Sequence, residues 1–479
     1  MSVRVRPSAF FLFMNIQKFI EAKRRSFFVY TVKSPSLAIL NTFLFLIIFG
    51  ALILLLPVSH KSNISIHIID ALFTATSAVC VTGLTVIDTG SSFSIFGQII
   101  ILFLIQSGAL GIILFSYIGS FLSRRNLSLN DKLNISFTLG NVDLTKLYAT
   151  IRNIVLFTFF FEFIGAILLF FAFIPTLGFS LNNFFISLFH SISAYCNAGF
   201  SLFTDNLVGY QDNIPINLII SLLIITGGLS FVVIFNLKDF FWGLFAFHIK
   251  KRNTQVPNLN LNTKIVLFLT VCLIIGGTLA IYHSEHNNLI KDHNIFTQYL
   301  IALFQSVSSR TAGFNSIDLS FAKVQTYLVI IFLMFIGGAS GSCAGGVKVN
   351  TIGVILAHLL SILRNRRSTI LNKKSIPTLT VNRSLLIVFI GIFIIFFATL
   401  LLMFTEPFQP IKIFFETVSA FGTVGLSGGI TSQLSFIGKT IIISIMLIGR
   451  IGLITLLTLL TSTGPSPKVF YPSEDICVG

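Results

Sequence analysis

Four short turns of small residues, each ending in glycine, are the parts of this sequence best suited to chemistry. Their glycines follow one another at intervals of 116, 114 and 112 residues, and each turn lies between two long hydrophobic segments. Gathered about one axis, four such turns could present rings of main-chain carbonyl oxygens that replace the hydration shell of a monovalent cation. The residues concerned are Val81, Thr82, Gly83, Asn197, Ala198, Gly199, Thr311, Ala312, Gly313, Thr423, Val424 and Gly425.

A short apolar stretch precedes each turn. These stretches of eight to eleven residues are too short to cross a bilayer, so we expect half-helices that enter the membrane and return. Glycine also permits close packing of membrane helices, which is the simpler explanation for any one turn. Four turns in register favour pore loops, because glycine allows the alternating backbone that converging carbonyls need. The stretches are 71–78, 184–194, 299–308 and 411–420.

Composition places the chain in a membrane. Of its 479 residues 54% are hydrophobic and 10% are charged, and the mean hydropathy of +0.92 excludes a soluble globule. We predict an all-α integral membrane protein in which four parallel helix/pore-loop/helix repeats, with eight spans and four half-helices, surround one central pore. The predicted spans are 38–56, 98–122, 153–174, 216–236, 264–282, 326–360, 385–404 and 438–461.

Charge sets the predicted orientation. Basic residues cluster near the N-terminus and in alternate loops, so the positive-inside rule predicts that both termini are cytoplasmic. The net charge of +16 then reflects topology, and nucleic-acid binding is not expected. The predicted parts are an N-terminus at 1–34, repeats at 35–125, 150–250, 262–360 and 383–462, and a tail at 463–479.

A run of small residues interrupts the sixth predicted span. Residues 337–346 are all glycine, alanine, serine or cysteine. The spacing of Gly337, Gly341 and Gly345 suits a tight helix interface. Gly338 and Gly346 lie off that face, and each glycine in a helix interior costs ~1 kcal/mol relative to alanine, which favours a broken helix. From the residues alone, both interpretations stay open.

Two arginines are predicted to lie inside the membrane. Arg450 is midway along the last span, where an unpaired cation is costly. It could pair with Glu162, or its guanidinium could donate to carbonyls of the 337–346 run. Arg310 precedes the third turn, and we expect it to brace that turn by bonding Glu416 or a neighbouring carbonyl.

No motif in the sequence supports catalysis, so an enzyme is not expected. The five cysteines have no paired spacing, which argues against a disulfide framework or a zinc site. His283, Glu285, His286 and His293 fit no standard metal spacing, and we interpret them as a solvated polar loop.

Taken together, these motifs resemble the Trk/Ktr/HKT superfamily of potassium transporters. The resemblance lies in the four glycine turns, the segment 304–315, the run 337–348 and the sequence Gly449-Arg450-Ile451-Gly452. Within that superfamily the chain is most similar to the ion-translocating membrane subunit of bacterial Ktr potassium uptake systems. The similarity extends over residues 35–479.

The resemblance implies a function and partners. It implies potassium (K+) bound at the carbonyls of the twelve turn residues, and a homodimer in the bacterial cytoplasmic membrane. It also implies sodium-stimulated transport, a form of symport, and a cytosolic ring of nucleotide-binding subunits on which ATP favours the open state and ADP the closed state. The basic inner loops suit either that ring or anionic membrane lipid.

The resemblance further assigns a gate to the loop 337–347. The gate residues are Gly337, Gly338, Gly341, Ser342, Gly345, Gly346 and Arg450. A sodium-preferring transporter of the same superfamily and an unrelated alternating-access carrier are the alternatives. Glycine at all four turns favours potassium over the first, and a pore loop in every repeat argues against the second.

Overall fold

The computed structural model of the chain describes residues 35–61, 66–123, 147–250, 258–366 and 368–452. The predicted N-terminus 1–34, the tail 463–479 and much of the basic loop sequence lie outside these residues. Helices make up nearly all of the regular structure within them.

The helices are α1 (Pro35–Leu54), α2 (Ile68–Val79), α3 (Ile95–Ser123), α4 (Leu147–Leu177), α5 (Leu181–Tyr195), α6 (Ile214–Gly228), α7 (Phe231–Lys250), α8 (Leu261–Glu285), α9 (Ile295–Ser308), α10 (Val324–Phe335), α11 (Val349–Leu363), α12 (Thr378–Thr405), α13 (Pro410–Gly422) and α14 (Phe436–Ile451), with one further turn at Thr89–Ser92. A small antiparallel hairpin joins α11 to α12 and pairs β1 (Thr369–Leu371) with β2 (Lys374–Ile376).

Long apolar helices surround short buried ones. By length and composition, residues 149–177, 261–285 and 378–405 can each cross a membrane, and the bent pair α6 and α7 adds a fourth candidate among the described residues. The short helices α2, α5, α9 and α13 contain the four predicted short stretches. Each of them carries a fully buried phenylalanine: Phe73, Phe189, Phe304 and Phe415. The core therefore lies around the short helices, while apolar side chains of the long helices face outward.

Several predicted spans are not continuous helices. The predicted span over 216–236 is not one straight helix, because α6 and α7 meet at an angle of 102°. The backbone extends at Leu229, and the Ser230 hydroxyl accepts a hydrogen bond from the Val233 amide at 3.2 Å, which starts a new helix. In α3 the helix is kinked at Gly111, where φ is 55°.

The break in the sixth predicted span falls where the sequence favours one. Helix α10 ends at Phe335, and α11 begins at Val349. Between them Ile336 pairs with Val347 in a parallel bridge, and the Gly337 amide donates to the Val347 carbonyl at 2.8 Å. The run 337–346 is therefore an excursion whose two ends are held together, and we call it the small-residue segment.

Candidate functional site

The four glycine turns share an alternating backbone. Their glycines have positive φ values of 93°, 69°, 79° and 94° in chain order. The residue two positions before each glycine is also left-handed, with φ of 56° at Val81, 60° at Asn197, 85° at Thr311 and 48° at Thr423. Such angles are rare for the β-branched residues Val81, Thr311 and Thr423, where each costs on the order of 1 to 3 kcal/mol, whereas asparagine adopts them more readily. Sequence reasoning identified the glycines but missed these strained partners.

A serine near the end of each short helix holds its turn. The hydroxyls of Ser77 and Ser419 each accept from a turn glycine amide at 3.1 Å. Those of Ser193 and Ser308 donate instead to the carbonyls of Phe200 and Phe314. The signal was present in the sequence, since a serine lies five or six residues before every turn glycine.

The four turns form a closed ring. A Cβ added to each turn glycine would lie closer than 3.0 Å to a carbonyl oxygen of the next turn. Gly83 faces Ala198 in this way, Gly199 faces Ala312, Gly313 faces Val424, and Gly425 returns to Thr82. Only glycine permits this approach of one backbone to another. We call residues 81–83, 197–199, 311–313 and 423–425 the glycine ring; all twelve predicted turn residues belong to it.

An acidic cleft opens on one side of the glycine ring, where the chain leaves the turn glycines. It has a volume of about 610 Å³, and its walls include Gly83 and Gly425 of the ring. Three carboxylates, Asp88, Asp205 and Asp318, also line it. A concave site lined by one sign of charge raises the local concentration of the opposite ion, so this cleft attracts cations.

The small-residue segment lies against the other end of the ring. A Cβ at Gly345 would collide with the Thr423 side chain, and one at Gly337 would lie 3.3 Å from the Thr311 methyl group. A Cβ at Gly346 would lie 3.2 Å from the Gly422 Cα. Small residues are therefore needed here because the segment is packed directly beneath the turns.

Helix α6 anchors the segment through its broken end. The Ala339 amide donates to the Gly228 carbonyl at 3.0 Å, and the Cys343 amide donates to the Gly227 carbonyl at 3.4 Å. These carbonyls are free to accept because α6 stops at Gly228. The end of α6, which the sequence analysis did not predict, therefore supplies the carbonyls to which the small-residue segment is bonded.

Arg450 joins the segment to two further helices. Its Nη1 donates to the Cys343 carbonyl, and its Nη2 donates to the Gly108 carbonyl of α3 at 2.8 Å. The bond to the segment is one of the two arrangements expected from sequence. The other, a salt bridge to Glu162, is wrong: that carboxylate accepts from Gln106 at 3.2 Å and from the Cys196 thiol at 3.6 Å.

Lys348, two residues after the segment, is a second cation that bonds to it, and sequence reasoning gave it no role. Its Nζ donates to the carbonyls of Ala344 and Gly345. With Arg450 on Cys343, three consecutive carbonyls of the segment each accept from a charged donor. The described residues place no carboxylate within 4.0 Å of either cation. A lysine two residues after a glycine pair, with no acidic neighbour in sequence, was the available signal.

Two other expectations are wrong. Glu416 accepts from the hydroxyls of Ser427 and Thr431, and the Arg310 side chain makes no hydrogen bond or ion pair with any described residue. Glu285 is fully buried rather than solvated, and it accepts from the Lys323 amide at 2.9 Å. Within the described chain, His, Cys, Asp and Glu form no cluster that could hold a metal ion.

Long apolar helices around buried short ones, with a single small hairpin among the described residues, fit a mostly helical membrane protein. A family model described as "TrkH: Cation transport protein" matches residues 8–471. The chain belongs to this family of cation transport proteins, and the resemblance noted in its sequence is confirmed.

Curated relatives cover almost the whole chain. It is 38% identical over 443 residues to the Ktr system potassium uptake protein B of Vibrio alginolyticus, across 92% of this chain and 94% of the relative. It is 36% identical over 439 residues to the protein of the same name from Bacillus subtilis, across 91% and 95% of the two chains. It is 35% identical over 454 residues to the potassium/sodium uptake protein NtpJ of Enterococcus hirae, across 93% and 97%.

A solved structure shares the fold. The crystal structure of the potassium transporter TrkH from Vibrio parahaemolyticus superposes with a TM-score of 0.70. It covers 89% of this chain and 85% of its own, at 22% sequence identity.

Proposed function

We propose that this protein carries potassium into the cell through the glycine ring, with the small-residue segment as its gate. The observation that carries the proposal is the closure of four turns into one ring between an acidic cleft and a tethered segment. The names of the Vibrio and Bacillus relatives, both potassium uptake proteins, point to the same ion.

The glycine ring suits a dehydrated monovalent cation. The turn glycines and the residues two positions earlier have left-handed backbone angles. In this proposal those angles turn successive carbonyls toward one side, where the carbonyl oxygens replace the water around potassium. The turns differ in sequence, so the ring lacks exact fourfold symmetry and should hold fewer well-shaped sites than a symmetric filter. The short helices end at the ring, and their negative dipole ends favour a cation there.

The small-residue segment suits a gate. It lies against Thr423 and Thr311. Polar groups meet around it rather than an apolar core: carbonyls of α6 accept from its amides, and Arg450 of α14 donates to it and to a carbonyl of α3. Its chain ends are pinned together by the Ile336–Val347 bridge, so the middle can move without separating α10 from α11. In this proposal the tethers favour the closed state, and movement of the segment opens the path below the ring.

Regulation and assembly form the finer part of the proposal. Both termini face the cytoplasm of a bacterial cell, and the protein is a homodimer in the cytoplasmic membrane. The basic inner loops bind a cytosolic nucleotide-binding ring whose ATP state opens the gate, or anionic lipid. The potassium/sodium name of the Enterococcus relative supports stimulation by sodium.

Serine at the ring glycines tests the filter. We expect Gly83→Ser and Gly425→Ser to lower the selectivity for rubidium over sodium about tenfold, because the new side chain would strike the carbonyl of the neighbouring turn. The measurement is competitive rubidium uptake into cells that lack their own potassium systems. Gly209→Ser is the matched control, since a Cβ there meets nothing within 4 Å. Unchanged selectivity in both ring variants would contradict the proposal that the glycine ring is the selectivity filter.

A further inference from the structure

Arg310 is a buried cation that the proposed transport function does not use. Its side chain is 9% exposed, and its Nε has no hydrogen-bond partner. A guanidinium stays charged at any physiological pH. Taking such a charge out of water costs several kcal/mol unless an opposite charge or a set of acceptors compensates it.

Arg310 lines a small cavity. The cavity volume is about 20 Å³, more than the roughly 10 to 15 Å³ that one water molecule needs. Apolar side chains of α6 and α8, including Ile224 and Ile274, form most of its wall. Thr270 adds a hydroxyl, for which no hydrogen bond to another described residue is formed, and Gly338 of the small-residue segment closes one side.

The chemistry of this wall selects a small anion. Arg310 is the charged residue in the wall, the Thr270 hydroxyl can donate a hydrogen bond, and none of the residues that line the cavity carries a carboxylate. No described carboxylate lies within 4.0 Å of Arg310. The small volume and the mostly apolar wall, with one cation and one hydroxyl, suit a single ion of halide size better than a phosphate, sulfate or carboxylate ligand.

We infer that this cavity binds one chloride ion between Arg310 and Thr270. The ion neutralises a positive charge that immediately precedes ring residue Thr311. Without it, the guanidinium would repel a cation held by the third turn, because like charges in a weakly screened interior interact strongly. Chloride therefore acts as a built-in counter-charge behind the ring, and it also contacts the segment at Gly338.

Thermal stability of the purified full-length protein tests binding without any transport. At constant potassium concentration and ionic strength, replacing gluconate, which is too large to enter, with chloride or bromide should raise the melting temperature by about 2 to 4 °C in a saturable way. Thr270→Val should weaken this dependence several-fold, and Arg310→Gln should abolish it. Arg383→Gln, the same change at an exposed arginine, should leave it intact.

Crystals grown in bromide locate the ion directly. We expect an anomalous bromide peak beside the Arg310 guanidinium, and its absence from this cavity, or stability that is identical in chloride and gluconate, would overturn the inference. A further consequence rests on the proposed function: by reciprocity of linked binding, chloride should tighten potassium binding. If the ring does not bind potassium, that linkage fails while the bromide peak remains, so the two failures are distinguishable.

Discussion

The glycine ring and the small-residue segment touch each other, yet they are held in opposite ways. Each ring turn is fixed by its own short helix, through a serine and a buried phenylalanine, and by the backbone of the next turn. The segment has no such support of its own and depends on carbonyl acceptors at the end of α6 and on the donors Arg450 of α14 and Lys348. Strain persists where the surroundings over-determine it, whereas single tethers can be released. The comparison predicts that selectivity resides in the ring and flow control in the segment.

Removal of the segment should have the largest effect. Deleting Ser340 to Gly345 should raise rubidium flux at least about tenfold, equivalent to removing a barrier of ~1.4 kcal/mol, and make it largely independent of a regulatory partner. Because Ile336 and Val347 are already paired, the shortened chain can close without moving α10 or α11. Flux through reconstituted protein, with folding checked by size exclusion, measures this. If the deletion protein folds but conducts no faster than the parent, the segment is a packing element and not a gate.

Loss of the Arg450 tether should have the next largest effect. Arg450→Ala removes two charge-assisted hydrogen bonds, each worth ~1.5 to 3 kcal/mol, and a positive charge, so flux should rise about three- to tenfold. Arg450→Lys should give an intermediate flux, because an ammonium cannot reach the Cys343 and Gly108 carbonyls with one planar fork. The matched control is Arg364→Ala on an exposed arginine. Parental flux in Arg450→Ala would show that α14 does not restrain the segment.

Lys348 should make a smaller contribution. Lys348→Met keeps the length of the side chain but removes the donor to Ala344 and Gly345, and we expect flux to rise about two- to threefold. Lys348→Arg, which retains charge and donors, should restore most of the closed state. Lys374→Met in the exposed hairpin is the control. Equal flux in the methionine and arginine variants would exclude a tether based on charge.

Sequence reasoning located both regions, because their signals are local. The ring glycines repeat at a regular interval, and a run of ten consecutive small residues marks the segment, although the residues alone left a tight helix interface and a broken helix both open. The left-handed angle at Val81 could not be predicted, since a β-branched residue disfavours it and only tertiary packing imposes it. The bend after Gly228 was hidden in a hydrophobic run where a glycine pair also suits packing.

Pairings between distant residues were the least predictable part. Arg310 and Glu416 both flank the ring in sequence, but the carboxylate of Glu416 is satisfied by hydroxyls that follow its own turn. The residues around Glu285 in sequence are polar, as in an exposed loop, yet Glu285 is buried against the start of α10. In each case the partner is set by three-dimensional distance, which no pattern in the sequence encodes.

A double-mutant comparison tests the division between ring and segment most directly. Total rubidium flux and the rubidium-to-sodium flux ratio are measured for the parent, for Gly83→Ser, for the Ser340 to Gly345 deletion and for the combination. We predict that the deletion raises flux and leaves the ratio at the parental value, that the serine variant lowers the ratio, and that the combination shows both changes independently. A deletion protein with an altered ratio, or a serine variant with parental selectivity, would contradict the account.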